Sequence, residues 1–256
     1  MFWDAFIVFL AALTIIAAFW EFIGNKLATS HQERRFIASI AKLTEMFDIF
    51  HQKLRQALTK EEAEKVLLEF EIGLLKASSW VLCGKHSIWA SLMIYDKDRE
   101  LLVLDKSNHF LCSDEEKEKG EPNEEFLIDL TESDPKKIGP AAMAFIRKES
   151  VVHLPKKSNG IGFIYTRNEN GKFKWLETFQ GWFPSGDNDF ENIRSVLSVP
   201  VAVSSSLNLG KRLGVLNFTT NKKDLFTPRD YTMAICFASF AAQAREEANL
   251  LKATLA

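Results

Sequence analysis

From Ala5 to Trp20 the chain reads AFIVFLAALTIIAAFW, an uncharged run in which Thr14 is the one polar side chain. A helix that is apolar on every side has no face to turn to water, so it belongs in lipid or deep inside a large core. The run spans about 24 Å as a helix. Phe2, Trp3, Phe22 and Ile23 extend it toward the roughly 30 Å of a bilayer's hydrocarbon layer. Trp3 and Trp20 then fall near the two interfaces, where amphipathic rings are favoured, with Asp4 and Glu21 close to water at the ends. Thr14 can return its hydroxyl to the backbone.

Residues 1–24 are therefore expected to form a transmembrane anchor. A cleaved signal peptide would open on a basic stretch and end on small residues, whereas here Asp4 precedes the run and no Lys or Arg does. A buried core helix is the other reading, without a polar stripe to support it. Lys26, Arg34, Arg35 and Lys42 all follow the run. The positive-inside rule then predicts a single-pass protein of the inner or plasma membrane, N-terminus outside and C-terminal body in the cytoplasm.

The remainder of the 256 residues is long enough for one large or two small domains. A formal net charge of −2 argues against a nucleic-acid partner, which would call for a basic stripe or domain. Cys83, Cys112 and Cys236 are odd in number and widely spaced, without a C-x-x-C pair. That pattern fits neither a disulfide framework nor a zinc site, and it suits a reducing compartment.

Residues 25–59 read as a helical stalk. Ser30 and Glu33 have capping-box spacing. Phe36, Ile40, Leu43, Phe47, Phe50 and Leu54 then recur every 4, 3, 4, 3 and 4 residues. This is a heptad seam, suited to a coiled coil that makes a homodimer; a helix packed on the domain behind it shows the same pattern. Thr59 and Glu62 form a second capping box ahead of an amphipathic helix through Val66, Leu67, Phe70, Leu74 and Val81, closed by Gly84.

Beyond Ser87 the period shortens. Ser87–Tyr95 and Glu100–Leu104 read as strands about the turn Asp96–Arg99. The acid-rich stretch 106–137 reads as a solvated, mobile loop. Residues 139–148 form a short helix and 151–154 a short strand. Residues 161–166 and 172–179 form a hairpin about Asn168-Glu169-Asn170-Gly171. Two further strands, 196–203 and 212–219, precede a helix over 227–251 that opens on Thr227, Pro228 and Asp230. Pro200 inside a strand points to an edge or a bulge.

The overall class is α+β: anchor, stalk, then an antiparallel sheet of about five to six strands flanked by helices. Residues 60–256 resemble a GAF domain. The likeness is carried by Arg194-Ser195-Val196-Leu197-Ser198-Val199-Pro200-Val201, by Leu213-Gly214-Val215-Leu216-Asn217-Phe218, and by Phe226-Thr227-Pro228-Arg229-Asp230 with the following Phe237–Ala244. Gly139–Ala144 and Val151–Pro155 are similar to the family's helix and strand over the pocket.

The resemblance implies a sensory or regulatory module that binds a small molecule or a protein partner and signals through its stalk or that partner. Its implied ligand-binding residues are Trp182 and Phe183, which would stack a planar ligand, Asp187, Asn188 or Arg194, which would orient it, and His153 and Ser195 nearby. The cyclic-nucleotide-binding members carry an Asn-Lys, Phe, Asp-Glu pattern. Here Asn221, Lys222, Phe226 and Asp230 match it as pocket-bracing residues, and Tyr231 replaces the final Glu. No cofactor is specified. A membrane-anchored docking scaffold is the alternative function. Metalloprotease, P-loop and nucleophile-elbow motifs are missing, so no enzyme is expected; a thiol-redox enzyme using Cys83 and Cys112, as in the family's free methionine sulfoxide reductases, is the remote alternative.

Overall fold

The fold is taken from a computed structural model that describes residues 31, 33–83, 88–105, 110–112, 125–130, 139–147, 151–155, 161–167, 173–180, 195–204, 209–220, 226 and 228–255. The anchor expected over residues 1–24 lies outside this set. Among the described residues no helix is long and apolar enough to cross a membrane.

Three long helices make one layer. Helix α1 (residues 33–56) is followed by α2 (Lys60–Cys83), and α4 (Pro228–Thr254) closes the chain. The junction between α1 and α2 is set by the capping box read from the sequence. The Thr59 hydroxyl accepts from Glu62 N (3.1 Å), and the Glu62 carboxylate accepts from Leu58 N (2.7 Å).

The seam along α1 is filled from within the chain. Leu43, Phe47, Phe50 and Leu54 are buried in the same core as Leu67, Phe70 and Leu74 of α2 and Phe237 and Ala241 of α4. Phe36 meets Phe237 edge-on at 6.1 Å, and Phe47 packs against Phe70 at 5.4 Å and Phe240 at 5.6 Å. The heptad spacing therefore runs along a face that packs on the chain's own domain, Phe36 and Ile40 being partly buried against it. At Gly73 of α2 the end of the Met46 side chain from α1 fills the space a Cβ would take, its Cε 1.9 Å from that position.

Nine strands among the described residues form one antiparallel sheet: β1 (Trp89–Asp96), β2 (Leu101–Asp105), β3 (Phe110–Cys112), β4 (Glu125–Asp129), β5 (Val151–Pro155), β6 (Ile161–Arg167), β7 (Phe173–Gln180), β8 (Ser195–Ser204) and β9 (Leu209–Thr220). Their order is β4-β2-β1-β9-β8-β5-β6-β7, with β3 also pairing β1. The count exceeds the five or six expected, partly because the acid-rich stretch 106–137, read as loop, contains β3 and β4. The apolar triplets Phe110-Leu111-Cys112 and Phe126-Leu127-Ile128 are short and set among charged residues, which masks their strand signal. They extend the sheet on β1 and β2.

The β1–β2 turn is held by Asp96, whose carboxylate accepts from the backbone N–H of Asp98 (3.0 Å) and Arg99 (3.2 Å). Glu100 completes it at φ 54. Pro200 pairs with Val215 on β9, while β8 pairs with β5 only as far as Ser198. The proline therefore stands where no described strand flanks β8 on the other side, one residue before a register shift.

Side-chain alternation divides the sheet. Leu92 of β1, Leu197, Val199 and Val201 of β8, and Leu216 and Phe218 of β9 pack under the helix layer. Met93 and Val215 face the other way, toward the short helix α3 (Pro140–Arg147). The order helix, two strands, short helix, strand, strand pair, closing helix is the one on which the GAF resemblance rests.

Candidate functional site

The α3 face of the central strands carries a polar row. Cross-strand register places Ser91 of β1 opposite Asn217 of β9, and Asn217 opposite Ser198 of β8. All three side chains are at least nine-tenths buried, with exposures of 9%, 6% and 0%. The Ser198 hydroxyl donates to Asn217 Oδ1 at 2.7 Å. With that oxygen engaged, Asn217 presents its amide NH2 as a donor. Among the described residues neither this nitrogen nor the Ser91 hydroxyl has a hydrogen-bond partner. Polar groups inside a sheet need hydrogen-bond partners, and here Ser198 and Asn217 supply one another's across β8 and β9.

The rows on either side are mostly apolar. Met93 pairs with Val215 in one, and Thr219 with Val196 in the other. The register carries this second row onward to His153 of β5 and Ile164 of β6. The wall over Met93 and Val215 is α3 itself, through Ala141, Met143, Ala144 and Phe145.

Helix α3 starts with Pro140 at its first position and the Gly139 carbonyl accepting from Met143 N at 2.9 Å. Arg212 of β9 fixes its other end. The guanidinium donates to the carbonyls of Phe145 (2.8 Å) and Ile146 (3.2 Å) and lies 4.6 Å from the centroid of the Phe145 ring. A cation on the last carbonyls complements the helix dipole, and Tyr95 packs against Phe145 at 4.6 Å from the β1 side. The short helix is thus pinned over the sheet beside the polar row.

This arrangement provides neutral hydrogen-bonding groups in an apolar setting. It suits a small molecule that offers an acceptor, such as a carbonyl or ring nitrogen, to Asn217 and a second polar group to Ser91. Among the described residues no cluster of three or more His, Cys, Asp or Glu is placed to hold a metal. Cys236, on α4, is half-buried, and burial pushes its thiol pKa up, away from the reactive thiolate.

The residues expected to bind ligand are placed unevenly. Trp182, Phe183, Asp187, Asn188 and Arg194 lie outside the described residues, as do the bracing Asn221 and Lys222. His153 is the register partner of Val196, in the row next to the polar one. Ser195 pairs with Thr220 and shares its strand face with Leu197 and Val199, which puts it under the helix layer and not beneath α3. Phe226 belongs to that helix-side core at 7% exposure. Asp230 is buried in the first turn of α4 at 5% exposure. Sequence reasoning passed over Ser91, Ser198 and Asn217. Their signal was available, since each is a polar residue at an inward position of a strand that is otherwise apolar.

No family model matches the chain, and no curated protein does. Solved structures do match. A type II free methionine-R-sulfoxide reductase from Thermoplasma acidophilum is 20% identical, covering 71% of this chain and 96% of its own, with a TM-score of 0.43. The GAF domain of an Acinetobacter phosphoenolpyruvate-protein phosphotransferase is 14% identical, covering 81% and 94%, with a TM-score of 0.44. The phycoerythrobilin-bound GAF domain of a cyanobacterial phytochrome is 11% identical, covering 81% and 96%, with a TM-score of 0.49. GAF domains are thus among the structures this chain is similar to.

Proposed function

We propose that the chain is a membrane-tethered regulatory module that takes up a small, polar, uncharged molecule on the α3 face of its GAF-like sheet. The observation that carries this reading is the polar row of Ser91, Asn217 and Ser198 on an otherwise mostly apolar sheet face, beside a short helix that Arg212 holds in place. The tether is the apolar run 5–20, which delivers the domain to the cytoplasmic side through the basic residues that follow it. The module acts by binding and not by turnover, its output passing to a protein partner or back through α1.

The test is thermal unfolding of the full chain in lipid nanodiscs against a library of neutral metabolites. A ligand present at a hundred times its Kd stabilises by about 2.7 kcal/mol, a shift of roughly 5–11 °C for a domain of this size. The same ligand should leave the unfolding temperature of Asn217→Ala unmoved. If no neutral compound shifts the wild type, or if a hit shifts both proteins equally, the binding reading gives way to a docking scaffold. Alkaline carbonate extraction tests the tether separately: release into the soluble fraction would remove it.

A further inference from the structure

The helix layer is polarised along its length. Helix α1 runs antiparallel to α2, with Arg35 over Trp80 at 5.3 Å, Met46 against Gly73, and Lys53 donating to Glu69 at 2.7 Å marking successive levels. It runs parallel to α4, with Glu33 paired to Arg229 near the start of both helices and His51 to Glu247 (2.5 Å) further along. The level at which α1 begins is basic. Arg34, Lys42 and Lys76 are exposed there and Arg35 half-buried; the nearby acids among the described residues are Glu33, in its pair, Asp230, which is buried, and Glu45, exposed one turn past Lys42. The opposite end is mixed in charge, with Glu61, Glu62, Glu64, Glu246 and Glu247 interleaved with Arg55, Lys60, Lys65 and Lys252.

The basic end also carries Trp80, 46% exposed beneath the Arg35 guanidinium, and Ile37, 67% exposed. Leu58 and Leu250, also strongly exposed, stand at the opposite end, away from the start of α1. An indole half out of the protein among arginines and lysines is the side-chain set favoured at the headgroup level of a bilayer. The chain's own layout says which surface it would meet. From Ile23 to Glu33 the backbone reaches at most about 36 Å, so the tether holds the starting end of α1 close to the membrane it enters.

Building on the tether reading, we propose that the end of the helix layer bearing Arg34, Arg35, Ile37, Lys76 and Trp80 docks on the anionic phospholipid headgroups of that bilayer. Each cation at such a surface strengthens the contact several-fold. The aromatic and aliphatic side chains sink into the interface, and the domain takes a fixed orientation to the membrane.

The experiment is amide hydrogen exchange of the full chain in nanodiscs of phosphatidylcholine alone and with about a third phosphatidylglycerol, a composition that gives a negative surface. Docking predicts slowed exchange, on the order of tenfold, in peptides covering 33–42 and 76–83 in the anionic discs only. The effect should be lost in 1 M salt and in the Arg34→Glu/Lys76→Glu variant, both of whose sites are exposed. Should that variant fold poorly, the wild-type comparison of the two lipids decides alone.

Equal protection in both lipids, or in neither, overturns the proposal. So does protection that appears without lipid as protein concentration rises, which would assign the surface to a second copy. Failure of the tether looks different. The chain would then leave neutral vesicles on flotation, while salt-reversible binding to anionic vesicles would still support the docking surface.

Discussion

Glu71 of α2 and Arg245 of α4 form an ion pair inside the helix layer, with side-chain exposures of 1% and 9%. One hydrogen bond closes it, Arg245 Nη2 donating to Glu71 Oε2 at 2.7 Å, while Nε and Oε1 approach to 2.5 Å without a hydrogen bond between them. Desolvating two charges is expensive, and their mutual attraction repays it only in good geometry, so the pair is worth little net but a great deal to break. Arg245→Met leaves the Glu71 carboxylate in an apolar layer without its guanidinium and should cost about 3–5 kcal/mol. For a domain of this size that is roughly a 6–20 °C fall in Tm. Arg245→Lys replaces a planar fork with a point charge and should fall between the two.

The informative variant is the double one. Glu71→Leu/Arg245→Met removes both charges and should recover most of the loss, ending within a few kcal/mol of wild type on either side. Urea unfolding of the four proteins closes a double-mutant cycle whose interaction energy should be favourable and large relative to the net effect. A single variant that loses less than about 1 kcal/mol, or a double variant no better than the worse single, would refute the claim that burial makes this pair costly to break.

Three further outcomes are expected. Phe47→Ala should destabilise the domain by about 3–5 kcal/mol in chemical unfolding, whereas a helix standing free as a stalk would leave domain stability unchanged. Gly214→Ala should cost about 1–3 kcal/mol or more, because a Cβ there would lie 2.1 Å from the Met93 carbonyl oxygen across the β1–β9 pairing; a wild-type unfolding curve would contradict that close approach. In a Cys83→Ser/Cys112→Ser background, Cys236 should react with a thiol reagent much more slowly folded than unfolded. Its folded pKa is raised by burial, so its contribution to stability is intact below the unfolded thiol's pKa and declines as pH rises toward the folded value. Reaction at the unfolded rate near pH 8 would refute the burial.

The sequence declared most of the helices and strands because their signals are local. The Thr59–Glu62 box, the Asp96 turn and the Pro228 start all fix backbone geometry within a few residues. What covers a face is not local. The α1 seam has the same spacing whether it meets another chain or Phe70 and Phe237 of its own, and only the return of α4 settles which. Strands β3 and β4 were hidden by the charge around them, since three apolar residues carry little weight until an edge is there to receive them. The polar row was legible in part. Ser91, Ser198 and Asn217 each stand out in an apolar strand, but their convergence depends on a register spanning more than a hundred residues of sequence.

The parallel course of α1 and α4 has a consequence for anyone wishing to watch this protein at work. Both helices start at the same end, so the carboxyl terminus emerges at the far one, a full 27-residue helix away, or about 40 Å. With the body tethered as proposed, a fluorophore attached there would report the height of the distal pole above the lipid and feel any tilt of the body as a long lever does. One placed near Glu33 would sit at the pivot and register almost nothing.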